Sequence, residues 1–312
     1  MTIPSVQWPD GKRFAFTVYD DTDGSTLGNV GEIYAFLADL GFRTTKTCWP
    51  LAGSTSLGKG AGQTCEDDDY RAWLLGLQAK GFEMAWHGAT WQSSPRDVTV
   101  RAMESFASIF GHYPVCGANH TGQAEGMYWA DKRLTGINIL AYNLLTRLRN
   151  RGHYNGEVPG DRYYWGDLCH ERIKYYRNFV FQNMNTLKAC PLMPYHDPRR
   201  PLVQNWFAAS NGVDCRRYNG CISEKHQDQL EEEGGVCIIY THFAFGFMQQ
   251  GHIEPRFRQL MERLAKKGGW FVPTATVLDH LMAVCGPCVL TDAQRGRLER
   301  KWLLEKITVG ST

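Results

Sequence analysis

Apolar, strand-like segments alternate with helical patterns along this chain, and that alternation limits its fold more than any other feature. Helical spacing is clear in Tyr70, Trp73, Leu74 and Leu77, which repeat at i, i+3, i+4 and i+7. Strands joined by helices pair in parallel through right-handed crossovers, so the pattern predicts a barrel or a doubly wound sheet. The strand-like segments are residues 13–20, 43–49, 82–87, 113–118, 236–243 and 269–273.

Local signals predict where several helices begin. Asn29 as N-cap with Glu32 at N3 forms a capping-box pattern, so the first helix is expected to begin there and to end at Gly41. Pro95 suits the first position of a later helix, and another amphipathic helix is expected to begin at Pro255.

Size and composition indicate one ordinary globular domain. The chain has 312 residues, of which 43% are hydrophobic and 21% charged, so it can bury a large core. Its length suits a single α/β barrel. We expect a catalytic barrel over residues 1–290 with long loops in 121–235, followed by a C-terminal helix and tail at 291–312.

Charge and hydropathy exclude some partners. The formal charge is only +2 and the basic residues are scattered, so no nucleic-acid partner is expected. No window approaches the roughly 18 apolar residues of a membrane span, and no export signal precedes the first strand, which favours a cytoplasmic protein. The cysteines lie in predicted strands and helices and are expected to be reduced. The oligomeric state, a homo-oligomer included, stays open.

Three predicted strands end in side chains suited to catalysis. The run FAFTVYDDTD ends in Asp20, Asp21 and Asp23, and two later strands end at His87 and His242. Closely spaced carboxylates repel one another, so a fold keeps them where a cation or a proton transfer uses them. The alternative is a turn in which the acids cap backbone amides. Because parallel strands present their carboxyl ends at one edge, the sequence predicts a metal site at the mouth of the sheet.

This order of motifs resembles the carbohydrate esterase family 4 polysaccharide deacetylases over roughly residues 10–280. The resemblance implies a distorted (β/α)7 barrel that removes N-acetyl groups from sugars with a divalent metal. In the family's T-F-D-D-G motif the first Asp is the general base and the second binds the metal. Those roles fall here on Asp20 and Asp21, and Asp23 could support the base, bind the metal or contact the substrate.

The family's second motif, His-Ser/Thr-x-x-His, is only half present. His87 keeps the first metal ligand, but the second position is Trp91, whose indole cannot coordinate a metal. His120 lies where the family's R-P-P-Y-G motif falls and is the candidate third ligand; a histidine hydrogen-bonded within a loop is the alternative. That motif's arginine is absent, so Asn119 is the candidate orienting residue and the Thr121 amide the candidate oxyanion donor.

The segment Ile238–His242 resembles the last motif, an apolar strand ending in Leu-His. The resemblance makes His242 the general acid for the leaving amine, and an imidazole with a near-neutral pKa suits that task. A buried histidine bonded to a carbonyl is the alternative.

Three further residues are candidate substrate contacts. Trp91 and Trp206 could stack on the apolar faces of sugar rings, although most tryptophans pack in cores or at rims. His196, in the sequence Tyr-His-Asp before Pro198, could face the substrate or simply form a turn.

The expected activity combines these assignments. We expect a hydrolase that removes an N-acyl group, N-acetyl first, from a sugar or a surface-polysaccharide precursor. Its divalent metal, zinc with cobalt, nickel or iron as alternatives, would be held by Asp21, His87 and His120. Two other functions stay open: a catalytically inactive carbohydrate-binding barrel, and a cyclic amide hydrolase on the same scaffold.

Overall fold

The computed structural model describes residues 6–54, 61–148 and 152–309. Its strands are β1 Ala15–Asp20, β2 Thr45–Cys48, β3 Glu83–Trp86, β4 Cys116–Gly117, β5 Tyr175–Phe181, β6 Tyr195–His196, β7 Asn205–Asn211, β8 Val236–Thr241, β9 Met248–Gln249, β10 His252–Ile253 and β11 Cys288–Val289. Its α-helices are α1 Leu27–Asp39, α2 Asp68–Ala79, α3 Arg96–Phe110, α4 Ile137–Leu145, α5 Gly166–Arg172, α6 Thr186–Ala189, α7 Cys215–Cys221, α8 Glu224–Glu233, α9 Pro255–Lys266, α10 Thr274–Cys285 and α11 Asp292–Val309.

Seven parallel strands close into a barrel. Around the barrel the order is β1, β2, β3, β4, β5, β7 and β8, and β8 pairs with β1. Helices surround these strands, so the predicted (β/α)7 barrel is confirmed. Strands β6 and β11 extend the sheet outside the closed barrel, where β6 pairs antiparallel with β7.

The barrel is distorted where it closes. Strands β7 and β8 pair only at Ser210 with Ile239 and Asn211 with Tyr240. Beside that pairing, the hydroxyl of Thr186 on α6 accepts the Ile238 amide hydrogen at 2.9 Å and lies 2.7 Å from the Ser210 hydroxyl. The Thr186 side chain therefore accepts a backbone hydrogen bond from β8 at the place where β7 and β8 diverge.

Strand β1 separates two apolar layers. Phe16 and Val18 pack with helix residues between the barrel wall and the helices, whereas Tyr19 points inward and its ring centroid lies 5.7 Å from that of Phe207 on β7. Side chains alternate in direction along a strand. Consecutive acids at the end of β1 therefore point to opposite sides of the barrel wall.

Local signals located some helix ends and missed others. Helix α1 begins at Leu27 rather than near Asn29, because the Asn29 side chain is at N3 and accepts the Thr26 amide hydrogen at 2.8 Å. Helix α9 begins at Pro255 as predicted. Residues 269–273, all of them described, form one bridge between Trp270 and Ala15 in place of the predicted strand.

Helix α11 covers one side of the barrel and packs on α4 and β5. Its Trp302 is buried, and the Arg133 guanidinium lies between the Trp129 ring at 3.9 Å and the Trp302 ring at 4.4 Å. The buried Glu299 carboxylate accepts hydrogen bonds from the Thr135 amide and hydroxyl. The last helix is thereby joined to the segment that carries Trp129.

In the part of the chain that the structure describes, no helix combines the length and apolar character needed to cross a bilayer.

The cysteines are free thiols. All ten lie among the described residues, and eight of them are buried. Burial raises the pKa of buried thiols such as Cys169, which suits packing residues better than nucleophiles.

Candidate metal and catalytic site

A cavity of about 220 Å³ opens at the carboxyl ends of the barrel strands. Side chains from four strand ends line it: Asp21 and Asp23 after β1, His87 after β3, His120 after β4, and His242 after β8. Parallel strands deliver these residues to the same edge, as the sequence predicted. Residues remote in sequence thus surround one space.

Asp23 lies at the centre of the histidines. Its Oδ2 is 2.9 Å from His87 Nε2, its Oδ1 is 2.6 Å from His120 Nε2, and His242 Nε2 is 3.6 Å from Oδ2. Burial would raise the pKa of Asp23, but hydrogen bonds from His120 and His87 outweigh it and hold the pKa well below its usual range. Burial opposes charge on His120, yet its contact with Asp23 raises the His120 pKa.

Asp21 is held by an arginine that the sequence analysis missed. Arg177 on β5 donates two hydrogen bonds to the Asp21 carboxylate, at 2.8 Å and 2.5 Å, and both side chains are buried. Burial alone would raise the pKa of Asp21, but the charge and hydrogen bonds of Arg177, together with the nearby His87 and His242, lower it. An arginine within the aromatic-rich strand sequence YYRNFVF was the available signal.

Asp20 is not part of the cavity, which corrects its expected role as general base. Its fully buried carboxylate contacts Lys46 Nζ at 2.9 Å and accepts hydrogen bonds from the Tyr34 hydroxyl and the Phe243 amide. Burial raises its pKa, and Lys46 offsets that only in part. The reason is the strand alternation: Asp20 points to the helix layer with Val18, and Asp21 points to the cavity.

His242 has a fixed ring orientation. Its Nδ1 lies 2.8 Å from the Val213 carbonyl, which can only accept, so Nδ1 carries a proton. Its Nε2 faces the carboxylates, 4.0 Å from Asp21 Oδ2. The ring therefore presents Nε2 to whatever occupies the cavity.

Three predicted substrate contacts lie elsewhere and are corrected. Trp91 packs against Gly53, where a Cβ would come within 2.6 Å of its indole nitrogen, and it does not line the cavity. Trp206 is buried in the barrel core beside Tyr176. His196 lies on β6 outside the barrel, with Nδ1 3.0 Å from the Gln204 carbonyl. Strand-end position alone did not distinguish core aromatics from cavity aromatics.

Asn119 and Thr121 do line the cavity. The Asn119 side chain, however, accepts the Met127 amide hydrogen at 2.7 Å and donates to the Met127 carbonyl at 2.9 Å. Its amide braces the loop that carries His120, and the orienting contact to Asp21 comes from Arg177 instead.

Apolar and aromatic side chains form the walls. Trp129, Val180, Val213 and Tyr240 line the cavity beside the charged residues, and none of them was singled out from the sequence. Beneath the histidines, the buried Trp49 ring lies 6.5 Å from His87 and 6.0 Å from His120. A small, mostly apolar cavity with charged groups at its base suits a small neutral group held over a polar reaction centre.

The donor set fits a divalent metal. One ligand atom each from Asp23, His87 and His120 lie within 4.8 Å of one another, and the same holds for Asp21, Asp23 and His242. Two imidazoles and one carboxylate are ligands that zinc and iron accept. Without a cation, the described residues give Asp23 only histidines as hydrogen-bonding or ion-pair partners. Asp23 belongs to both groups, whereas Asp21 belongs to the second alone and is hydrogen-bonded to Arg177.

Comparison with known proteins bears on the fold. No family model and no curated protein matches the chain. A Puue allantoinase structure has 13% identity and a TM-score of 0.51, covering 91% of this chain and 95% of that one. A protein assigned as a polysaccharide deacetylase from Mycobacterium smegmatis has 12% identity and a TM-score of 0.48, covering 92% and 98%. Another from Pseudomonas aeruginosa has 12% identity and a TM-score of 0.48, covering 91% and 96%.

These similarities extend over most of each chain at low sequence identity. The similarity to the allantoinase structure shows the fold of this chain alone, the (β/α)7 barrel that the strand-end motifs predicted.

Proposed function

We propose that the protein is a metal-dependent hydrolase that cleaves an amide bond, removing an N-acetyl group from a sugar or a glycan precursor. The observation that carries the proposal is that two carboxylates in one cavity have different partners. Asp23 contacts His87 and His120, whereas Asp21 is held by Arg177, and His242 Nε2 lies 3.6 Å from Asp23 and 4.0 Å from Asp21. Metal binding and proton transfer thus have separate residues.

Asp23, His87 and His120 would hold the metal. When bound there, a divalent cation supplies a lowered pKa for water and polarises the amide carbonyl. Zinc is our first choice, with cobalt, nickel or iron as alternatives, because two imidazoles and a carboxylate suit all four.

Asp21 would act as the general base. Arg177 holds its carboxylate in one orientation and keeps its pKa low, so it is ionised and able to accept a proton at neutral pH. His242, whose Nδ1 is bound to the Val213 carbonyl, would deliver a proton from Nε2 to the departing amine nitrogen.

The walls limit what can enter. Trp129 and Tyr240 offer aromatic surfaces on which the apolar face of a sugar ring could stack. The volume of about 220 Å³ admits an acetyl group with part of one ring, and larger substrates must extend into solvent. A small glycan precursor, rather than a finished wall polymer, is the substrate we propose.

The direct experiment measures acetate release from a panel of N-acetylated sugars by the zinc-loaded protein. We expect Asp21→Asn to keep its metal and to lose activity by about 100-fold or more, since a general base contributes at least that factor. The surface variant Asp39→Asn is the matched control and should retain full activity. Acetate release by Asp21→Asn at the wild-type rate would refute the assignment.

A cyclic amide hydrolase is the second candidate. It is favoured by the fold similarity to the allantoinase structure, which covers 91% of this chain. Opening a cyclic amide needs the same base, acid and metal, and a small ring fits the cavity volume. Ring opening of small cyclic amides without acetate release would favour this activity. A catalytically inactive carbohydrate-binding barrel would bind sugars and do neither.

A further inference from the structure

Phe245 is an exposed aromatic residue in the turn that follows His242. It is 42% exposed, and no other phenylalanine, tyrosine or tryptophan among the described residues is as exposed. It does not line the catalytic cavity. Single exposed apolar side chains are common on protein surfaces, and what distinguishes Phe245 is its position.

The Phe245 ring lies against two parts of the proposed catalytic centre. Its centroid is 4.9 Å from that of the His242 ring, at an interplanar angle of 33°. Its Cε1 also approaches Gly24, the residue after Asp23, where a Cβ would come within 3.1 Å of that carbon. The ring therefore lies at the rim of the cavity, between the segments that follow β1 and β8.

The backbone holds this ring in place. The Phe245 amide donates to the His242 carbonyl at 2.9 Å, and the Phe245 carbonyl accepts the Cys215 amide hydrogen at 3.2 Å. Gly246 follows with a φ of 85°, in the left-handed region that glycine adopts without strain. Because the turn is fixed before a ligand arrives, covering the ring loses little conformational entropy.

The proposed reaction brings the departing sugar close to this ring. A general acid lies about 3 Å from the nitrogen that it protonates, and the proposed acid is His242. The sugar ring that carries the nitrogen must then lie next to His242, and a cavity of about 220 Å³ holds only part of it. The C–H groups on one face of a pyranose suit contact with the face of an aromatic ring.

We propose that Phe245 is the platform on which the sugar ring bearing the departing amine stacks, and that it selects N-acetylated pyranoses over smaller amides. This role rests on the proposed deacetylation. A small cyclic amide fits within the cavity and does not extend to the rim. Dependence on Phe245 is therefore expected for sugar substrates and not for small cyclic amides.

Two substitutions separate stacking on a ligand from packing against His242. Phe245→Leu keeps an apolar contact with the imidazole but removes the flat ring, whereas Phe245→Trp keeps a flat ring. Calorimetry measures binding of tri-N-acetylchitotriose to the zinc-loaded Asp21→Asn protein, in which turnover is slow. We expect Phe245→Leu to weaken binding about tenfold and Phe245→Trp to stay within about threefold of the parent protein.

In the active protein, Phe245→Leu should raise KM for an N-acetylated sugar about tenfold and change kcat by less than about threefold, because the stacking contact is present before and during the reaction. Leu75→Ala, at an exposed apolar position on α2, is the matched control and should change neither. Circular dichroism checks that each variant is folded.

A lower kcat for Phe245→Leu with unchanged sugar binding would show that the ring only positions His242, and would overturn the proposal. Absence of sugar binding by the parent protein would also overturn it. Sugar binding that depends on Phe245 without acetate release would support the platform and refute deacetylation. Acetate release by Phe245→Leu with the wild-type KM would support deacetylation and refute the platform.

Discussion

At the scale of single residues, the site depends on which way neighbouring acids point. Asp20 and Asp21 are adjacent in sequence, yet the first pairs with Lys46 behind the barrel wall and the second with Arg177 at the cavity. Two buried carboxylates with two buried cations keep the local charge balanced.

The structural role of Asp20 gives the first prediction. Asp20→Asn should leave the Lys46 charge buried without a counter-charge and lower the free energy of unfolding by about 3 kcal/mol or more. Urea denaturation measures the change. The double variant Asp20→Asn, Lys46→Met should recover part of the loss, and the folded fraction of each protein should bind metal normally. An Asp20→Asn protein as stable as wild type but inactive would instead restore Asp20 as the base.

A pH prediction concerns Glu125, a buried acid behind the site. One oxygen accepts the Ser94 amide hydrogen at 3.0 Å, and the other finds no partner among the described residues. Burial raises its pKa from 4.5 to about 7. A folded-state pKa above the unfolded value contributes stability at low pH, and this is lost as the pH rises through the folded pKa.

Wild-type stability should therefore decline between pH 4.5 and about 7 relative to Glu125→Gln, whose amide cannot ionise. The predicted difference between the two proteins changes by up to about 3 kcal/mol over this interval. Thermal or urea unfolding at several pH values checks it. Parallel stability curves for the two proteins would show that Glu125 stays ionised in the fold.

At the scale of elements, strands carried most of the information that sequence could give. The ends of β1, β3 and β8 were recognisable because an apolar run stops at a charged or ionisable side chain. Strand β5 was not, because aromatic residues and Arg177 interrupt any simple period. The role of Arg177 comes from a contact across 156 positions of sequence, which no local pattern encodes.

Helix α11 is predicted to hold α4 in place through Glu299. Glu299→Ala would leave the Thr135 amide and the Asn138 side chain, which donate at 2.9 Å and 2.8 Å, without their acceptor. We expect the free energy of unfolding to fall by at least about 2 kcal/mol, with faster hydrogen exchange in α4 than in β1. Arg300→Ala, an exposed change on the same helix, should alter neither. Equal exchange in α4 for both variants would contradict this role.

At the scale of the whole molecule, the barrel brings together residues that the motifs could only name separately. The closed order of strands places the ends of β1, β3, β4 and β8 around one cavity, and the sequence predicted this convergence. It did not predict that Asp23 would occupy the centre, because that depends on how the chain turns after β1. The sequence also did not predict the cavity walls, because Trp129 and Val213 lie in loops, where no periodic pattern marks them.

Metal binding should stabilise the entire fold, because the ligands converge only in the folded chain. Zinc at about 100 times its dissociation constant should raise the free energy of unfolding of the wild type by about 2.7 kcal/mol. Asp23→Asn should show little of this increase, whereas Asp39→Asn should show all of it. Calorimetric melting with and without zinc makes the comparison. Equal stabilisation of Asp23→Asn and wild type would place the metal elsewhere.

The central claim is that a cation binds between Asp23, His87 and His120, and anomalous X-ray diffraction at the zinc edge tests it most directly. For crystals grown with zinc, we predict one strong anomalous peak about 2.0 to 2.2 Å from an Asp23 carboxylate oxygen and from Nε2 of both histidines. A peak bound by Asp21 in place of Asp23, or no peak in this cavity at saturating zinc, would contradict the account.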